Sequence, residues 1–348
     1  MGLRVGIVGA TGMVGRTMLR VLVDRGFPVE ELRPMSSARS AGSEVEFGGE
    51  RIRVVEAGPE AFAGLDVALF SAGAGPSRAL APAAAAAGAV AIDNSSAWRL
   101  DPEVPLVVPE VNPEAARSHQ GIIANPNCCA IPLTVALKPI GDLSALRRVL
   151  VDTYQAASGK GWKLVAELEE QRRALVEGRP PAATVYPHVL EGNAVPGGWT
   201  YPEDLARQVA PAYEDPDAAL AYNEEELKIV AETRKILGLP GLAISVTTVR
   251  VPVATGHSES VWVETERSLA PDEVRAALSR APGIALRDDP RAQVYPLALE
   301  AAGTDQVYVG RVRRDLSHPR GLALWLAADN LRKGAATNTV QIAELLFT

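Results

Sequence analysis

The stretch ANPNCCAIPL, residues 124–133, holds both cysteines of the chain, adjacent at Cys128 and Cys129. A thiol does chemistry once it ionises. Cys128 follows NPN, whose proline and asparagines stop a strand, and it opens the apolar run CAIPLTVALKPI, which reads as a helix with Pro132 tolerated in its first turn. The free amides and dipole of a helix N-terminus favour a thiolate, so Cys128 reads as a nucleophile. Cys129 would point about 100° further round the helix and reads as packing. A nucleophilic thiol needs an acid/base partner. His119 in ARSHQG, His188 in YPHV and His318 in LSHPRG read as surface or loop residues. His257 stands in RVPVATGHSES at a strand break marked by Gly256, where an imidazole is presented to a cleft.

A second candidate lies at the N-terminus. GIVGATGMVG clusters Gly6, Gly9, Gly12 and Gly15 where a strand turns into a helix, and the spacing G-x-x-G-x-x-G over Gly9, Gly12 and Gly15 brings backbone amides close to a pyrophosphate. A dinucleotide site follows from that placement on the first strand of a βαβ unit. The end of the second strand, MSSARSAG, carries no carboxylate for an adenosine ribose hydroxyl, and Arg39 stands there between hydroxyl residues. NADP is therefore favoured over NAD. A thiolate that passes a hydride to a nicotinamide implies an aldehyde, through a thiohemiacetal and then a thioester.

The elements that must hold these groups are legible as patterns. LRVGIVG, LRPMSS, LDVALFSAG, AVAIDNS and LVVPEV read as strands, and VGRTMLRVLVDRG and SRALAPAAAAAG as helices. Alternating strands and helices imply a doubly wound parallel sheet. After about residue 128 the pattern changes to the long alternating strands of RRVLVDTYQAASG and GLAISVTTVRVPVATGHSESVWVET, an α+β domain with a mixed or antiparallel sheet. The Pro- and Gly-rich segment 177–204 between them reads as an ordered excursion or a subunit-contact loop. The chain of 348 residues is 47% hydrophobic, long enough for two domains, and mildly acidic with 42 Asp and Glu against 35 Lys and Arg. With no run of like charge, nucleic-acid and membrane binding are excluded and small-molecule chemistry is the default. Adjacent cysteines make no disulfide framework, and the glycine-broken N-terminus is no signal peptide, so a reducing, cytoplasmic setting is expected.

Several segments taken in order carry a family resemblance: GATGMVG, RSAG, DNSSAWRLD, VPLVVPEVN, NPNC, TYQAASG, NEEELK, RVPV with GHSE, and DNLRKGAA with NTVQIAE. Over nearly its whole length the chain resembles the bacterial aspartate-semialdehyde dehydrogenases. The resemblance implies an α/β protein with a Rossmann-like doubly wound N-terminal sheet and a second α+β catalytic and dimerisation domain. Residues 1–127, completed by 325–348, would bind NADP, and 128–324 would carry catalysis and the dimer contact. Cys128 matches the acyl-forming nucleophile, His257 the acid/base, and Gln155 the glutamine that orients substrate. Arg250 matches the arginine on the substrate carboxylate, Glu225 the acid facing its amino group, and Arg99 with Lys228 the pair that binds phosphate. Gly9, Thr11, Gly12, Met13, Val14, Arg39, Ser40, Ser158, Gly159 and Asn330 match the NADP contacts. The implied reaction is the reversible, NADP-dependent oxidation of L-aspartate 4-semialdehyde with phosphate to 4-phospho-L-aspartate, in lysine, threonine, methionine and isoleucine biosynthesis, in a homodimer or a tetramer, with no metal. The chain departs from the family's usual pattern at Cys129, Ala130 and Pro132, where NCSTIQ is common, and at Lys160, where a small residue is usual. A paralogue kept as a binding protein without turnover, or a reductase of another acyl phosphate, are the rival readings.

Overall fold

Short runs of β-branched residues build the first sheet. The computed structural model describes residues 2–198, 205, 206, 209 and 221–348; the end of the expected excursion, 199–204, lies outside the described residues. The chain forms two units, one of Met1–Asn127 with Leu331–Thr348 and one of Cys128–Asn330. In the first unit β1 (Leu3–Val8), β2 (Val29–Ser36), β5 (Val55–Glu56), β6 (Val67–Phe70), β7 (Val90–Asp93) and β8 (Ile122–Ala124) pair in the order β5-β2-β1-β6-β7-β8. Every pairing is parallel. Between β2 and β5, β3 (Glu44–Phe47) and β4 (Glu50–Arg53) form a separate antiparallel hairpin.

Both faces of the parallel sheet are covered, as crossover connections require. Val67 and Leu69 belong to one core, with Met18 and Leu22 of α1 (Met13–Asp24) and Val340 of the C-terminal helix Thr337–Phe347. Ala68 and Phe70 belong to the other, with Ala81 and Ala84 of α2 (Ala74–Ala86). Alternation along one strand thus feeds two cores. The segment LVVPEV differs from its expected strand. It makes a single parallel bridge, Leu106 to Ala124, because Pro105 and Pro109 supply no backbone donor on either side of it. In the DNLRKGAA segment, Lys333 is fully buried and held by Glu110 at 2.6 Å, Gln341 at 2.7 Å and Asn338 at 3.1 Å. It is a structural cation, since a buried charge persists only when paired.

The second unit is built on a seven-stranded mixed sheet in the order β10-β11-β9-β12-β15-β14-β13. Its strands are β9 (Leu146–Gln155), β10 (Val195–Pro196), β11 (Ala243–Arg250), β12 (His257–Thr265), β13 (Ile284–Leu286), β14 (Val307–Arg314) and β15 (Gly321–Ala328). β15 pairs with β12 from Glu264–Gly321 to His257–Ala328. A domain boundary at 324/325 would cut that ladder, and the chain leaves the second unit only after Asn330. Four helices of this unit are α3 (Ala130–Leu143), α4 (Trp162–Val176), α5 (Glu224–Leu237) and α6 (Pro271–Leu278). α5 starts at a capping box, with Asn223 accepting from the Glu226 amide and Glu226 accepting from the Asn223 amide, and stops at left-handed Gly238. Among the described residues no helix is long and apolar enough to cross a membrane.

Candidate active site

In the first unit the strand order reverses direction at β1, between β2 and β6, the point where open α/β sheets bind ligands beyond their carboxyl ends. Gly9 adopts φ +88°, and a side chain there would stand 2.8 Å from the Ser71 carbonyl just beyond β6. A Cβ on Gly15 would overlap the Gly9 carbonyl oxygen. These glycines let α1 begin hard against the turn. Gly12 is its N-cap, with neither a side-chain cap nor an acid in the first turn, so the first-turn amides of Met13, Val14 and Gly15 are open to an anion with no competing carboxylate. Thr11 Oγ1 lies 3.0 Å from Ser36 Oγ at the end of β2, where the turn closed by the Ser40 amide on Ser37 begins. Arg39 in that turn is exposed and has no partner among the described residues. Gly9 to Val14, Arg39 and Ser40 therefore collect at one edge of the sheet. Arg99, in the same unit, is buried, its Nε on the Asn125 carbonyl and its Nη2 on the Asn94 carbonyl, both at 2.9 Å.

In the second unit, α3 begins at Ala130 with Cys129 as its N-cap, so Cys128 stands one residue before the cap rather than opening the helix. The sulfurs of Cys128 and Cys129 and a ring nitrogen of His257 lie within 4.8 Å of one another. Among the described residues this is also the one cluster spaced to hold a metal ion; a thiol and an imidazole that exchange a proton need the same proximity. Cys128 is part-buried and Cys129 fully buried. The Ala156 amide donates to His257 Nδ1 at 2.9 Å, which puts the proton of the neutral ring on Nε2, a buried atom with no hydrogen-bond partner. Gln155 donates to Cys129 Sγ at 3.3 Å and to Glu225 Oε1 at 3.5 Å. Arg250 donates from Nη1 to the Ala156 carbonyl at 2.7 Å while its Nε is buried without a partner.

Gln155, Arg250, Glu225 and Lys228 line a cleft of about 610 Å³ together with Lys160 and Tyr186. Lys228 is paired with Glu224, one turn back on α5. Ser158 and Asn330 hydrogen-bond each other at 2.9 Å, and Asn330 also takes the Gly256 amide at 3.0 Å. Gly159 packs against two of the site residues, since a Cβ there would come to 2.9 Å from Arg250 and 3.2 Å from His257. The described part of the 177–204 excursion is ordered by the Glu167 carboxylate, which takes the amides of Thr184, Val185 and Tyr186.

The charges favour one ionised thiol. The neighbouring Cys129 thiol, hydrogen-bonded to it, holds Cys128 well below the usual thiol range; burial opposes this, and His257 and Arg250 reinforce it. Cys129 goes the other way, raised by that same bond, by burial and by the Cys128, Glu259 and Glu225 charges. Glu259 is the surprise of the site. It is fully buried with neither carboxylate oxygen hydrogen-bonded, and burial followed by the Cys128 charge pushes its carboxyl well above the usual range. Sequence reasoning missed it, although alternation in GHSES puts Glu259 on the same strand face as His257. The expectation that Cys129 only packs also needs correcting, because its sulfur accepts the Gln155 amide.

Comparison with known proteins assigns the lineage. The semialdehyde dehydrogenase NAD binding domain matches residues 4–119 and the semialdehyde dehydrogenase dimerisation domain residues 137–333. The aspartate-semialdehyde dehydrogenase of Aquifex aeolicus is 49% identical over 99% of this chain and 98% of its own. The chain belongs to the aspartate-semialdehyde dehydrogenase family. The Bacillus subtilis member is 44% identical over 99% of this chain and 97% of its own. A crystal structure of aspartate semialdehyde dehydrogenase II from Vibrio cholerae, complexed with ASA, superposes with a TM-score of 0.91 at 43% identity, covering 99% of this chain and 98% of that one. As a member of this family the chain is an oxidoreductase of amino-acid biosynthesis, with an NAD(P)-binding first unit and a dimerisation domain in the second.

Proposed function

We propose that this family member makes and consumes L-aspartate 4-semialdehyde with NADP, through a covalent bond to Cys128. The observation that carries the reading is the meeting of Cys128, Cys129 and His257 within 4.8 Å, beside residues that line the cleft. In the reductive direction the Cys128 thiolate attacks the acyl carbon of 4-phospho-L-aspartate. His257 Nε2–H donates to the carbonyl oxygen as charge builds there and takes the proton back as phosphate leaves and the thioester forms. When bound, NADP supplies or removes the hydride that interconverts thioester and thiohemiacetal. Collapse of the thiohemiacetal then releases the semialdehyde and returns the thiolate.

The substrate's charges find matching groups in the second unit. Arg250, with an unpartnered buried Nε, meets the α-carboxylate, and Glu225 the ammonium. Gln155, fixed between Cys129 and Glu225, orients the acyl group. Arg99 and Lys228 are assigned to phosphate. On the cofactor, the glycine turn takes the pyrophosphate, Thr11 to Val14 line it, Arg39 and Ser40 take the 2′-phosphate, and Ser158, Gly159 and Asn330 face the nicotinamide half. The glycine turn fits a dinucleotide because side chains at Gly9 and Gly15 would fill the space the backbone needs. The dimerisation domain supports a homodimer, or a tetramer built from it, as the working form, in a cytoplasm that keeps both thiols reduced. The test is one steady-state assay with aspartate semialdehyde, phosphate and NADP, read as absorbance of the reduced cofactor. A phosphate-dependent signal supports the reading, and its absence with folded protein overturns it.

A further inference from the structure

Cys129 directly follows the nucleophile in the chain, and its surroundings are those of a working group. Its sulfur is fully buried at the N-cap of α3 and within 4.8 Å of both the Cys128 sulfur and the His257 ring. On one side it accepts the Gln155 amide at 3.3 Å, and the other proton of that amide goes to Glu225 at 3.5 Å. A donor occupies the Gln155 side, so the single S–H is spent elsewhere, and the Cys128 sulfur lies within 4.8 Å. The bond to Cys128, burial and the charge of the Cys128 thiolate all hold this thiol above its usual range, so it stays a donor.

We propose that Cys129 is a positioning residue, whose buried thiol donates to the Cys128 sulfur while accepting the Gln155 amide, and which thereby stabilises the nucleophilic thiolate and ties it to the substrate-facing Glu225. This rests on the assignment of Cys128 as nucleophile and adds to it. The chain Cys128–Cys129–Gln155–Glu225 joins a residue that bonds the substrate to one that senses its ammonium end. A serine hydroxyl has the same one donor and accepting lone pairs, so serine and cysteine are interchangeable here in role, and alanine is not.

The experiment follows the rate of iodoacetamide alkylation against pH, mapped to Cys128 by mass spectrometry, in the full-length protein and in Cys129→Ala and Cys129→Ser. In Cys129→Ala the midpoint moves up by about one pH unit, the scale of one hydrogen bond to a charged group, and the rate on the acid side of the parent midpoint falls about tenfold. kcat falls in parallel, while the KM for NADP stays put. Cys129→Ser rescues both the midpoint and kcat to within about threefold, which a purely packing role would not produce. Gln155→Met, which removes the donor without emptying the space, moves the midpoint upward by a smaller amount and keeps the proposal testable should the alanine variant not fold. An unchanged midpoint in Cys129→Ala, or in Gln155→Met where the alanine variant does not fold, overturns the proposal. Alkylated Cys128 with undiminished activity would instead overturn the nucleophile assignment, a separate outcome.

Discussion

The glycine turn of the first unit and the thiol cluster of the second are built on opposite plans. Residues 9 to 15 form the turn almost alone: Gly9 at φ +88°, Gly12 as cap and Gly15 under the Gly9 carbonyl are neighbours in sequence. The cluster draws on the N-terminus of α3, the end of β9, the start of β12 and the first turn of α5, so that Gln155 reaches Glu225 across 70 positions and the Ala156 amide reaches His257 across 101. A site made by local backbone geometry is limited by sterics, and one made by long-range register is limited by electrostatics. Variants should fail in correspondingly different ways.

The sharpest test of that contrast is Cys128→Ser, expected to fold and bind NADP normally yet lose turnover by about a thousandfold or more, because a serine hydroxyl is scarcely ionised without a matched base. The phosphate-dependent absorbance assay measures it. Activity near that of the parent protein would move the nucleophile elsewhere and break the comparison at its catalytic end. On the local side, Gly15→Ala should cost about 2 to 4 kcal/mol of stability, with cofactor binding weakened alongside, because its Cβ overlaps a backbone carbonyl that cannot move alone. Thermal melting and NADP titration read both, and a silent substitution would show that α1 can slide on β1.

Arg39→Ala is expected to weaken NADP by roughly tenfold to a hundredfold and leave NAD nearly unchanged, as the loss of a charged hydrogen bond to a phosphate would. Equal losses with both cofactors would make Arg39 a shaper of its turn. The smallest effect belongs to Glu259. Its carboxyl is raised above the ordinary range in the fold, so the folded protein holds a proton that the unfolded chain has released. Its contribution is present below the ordinary carboxylate range and is lost as pH rises toward the raised value. Glu259→Gln, which imitates the protonated form, should flatten that decline in urea unfolding compared between about pH 5 and pH 8. Parallel pH dependences in the two proteins would place a charged Glu259 in the fold.

Amino-acid order alone determined the alternating β and α elements of the first sheet, the glycine turn, and Cys128 and His257 as the candidate pair, because each depends on periodicity or on neighbours within one turn of chain. It misjudged LVVPEV, where flanking prolines withhold the donors that a strand needs, and it set the second boundary inside β15, whose pairing with β12 runs to Ala328. Tertiary structure alone decided the company each side chain keeps. The antiparallel register that sets Ser258 against Tyr154 and Glu259 against Thr153 brings the His257 end of β12 to the Gln155 end of β9. Shifted by one residue, that pairing would turn His257 and Glu259 to the opposite face, since successive side chains on a strand alternate. Whether Cys129 packs or bonds, whether Lys333 is a surface charge or a buried strut, and whether Glu259 holds its proton all follow from partners far away in sequence, because burial and charge are properties of the assembled surroundings rather than of any one residue.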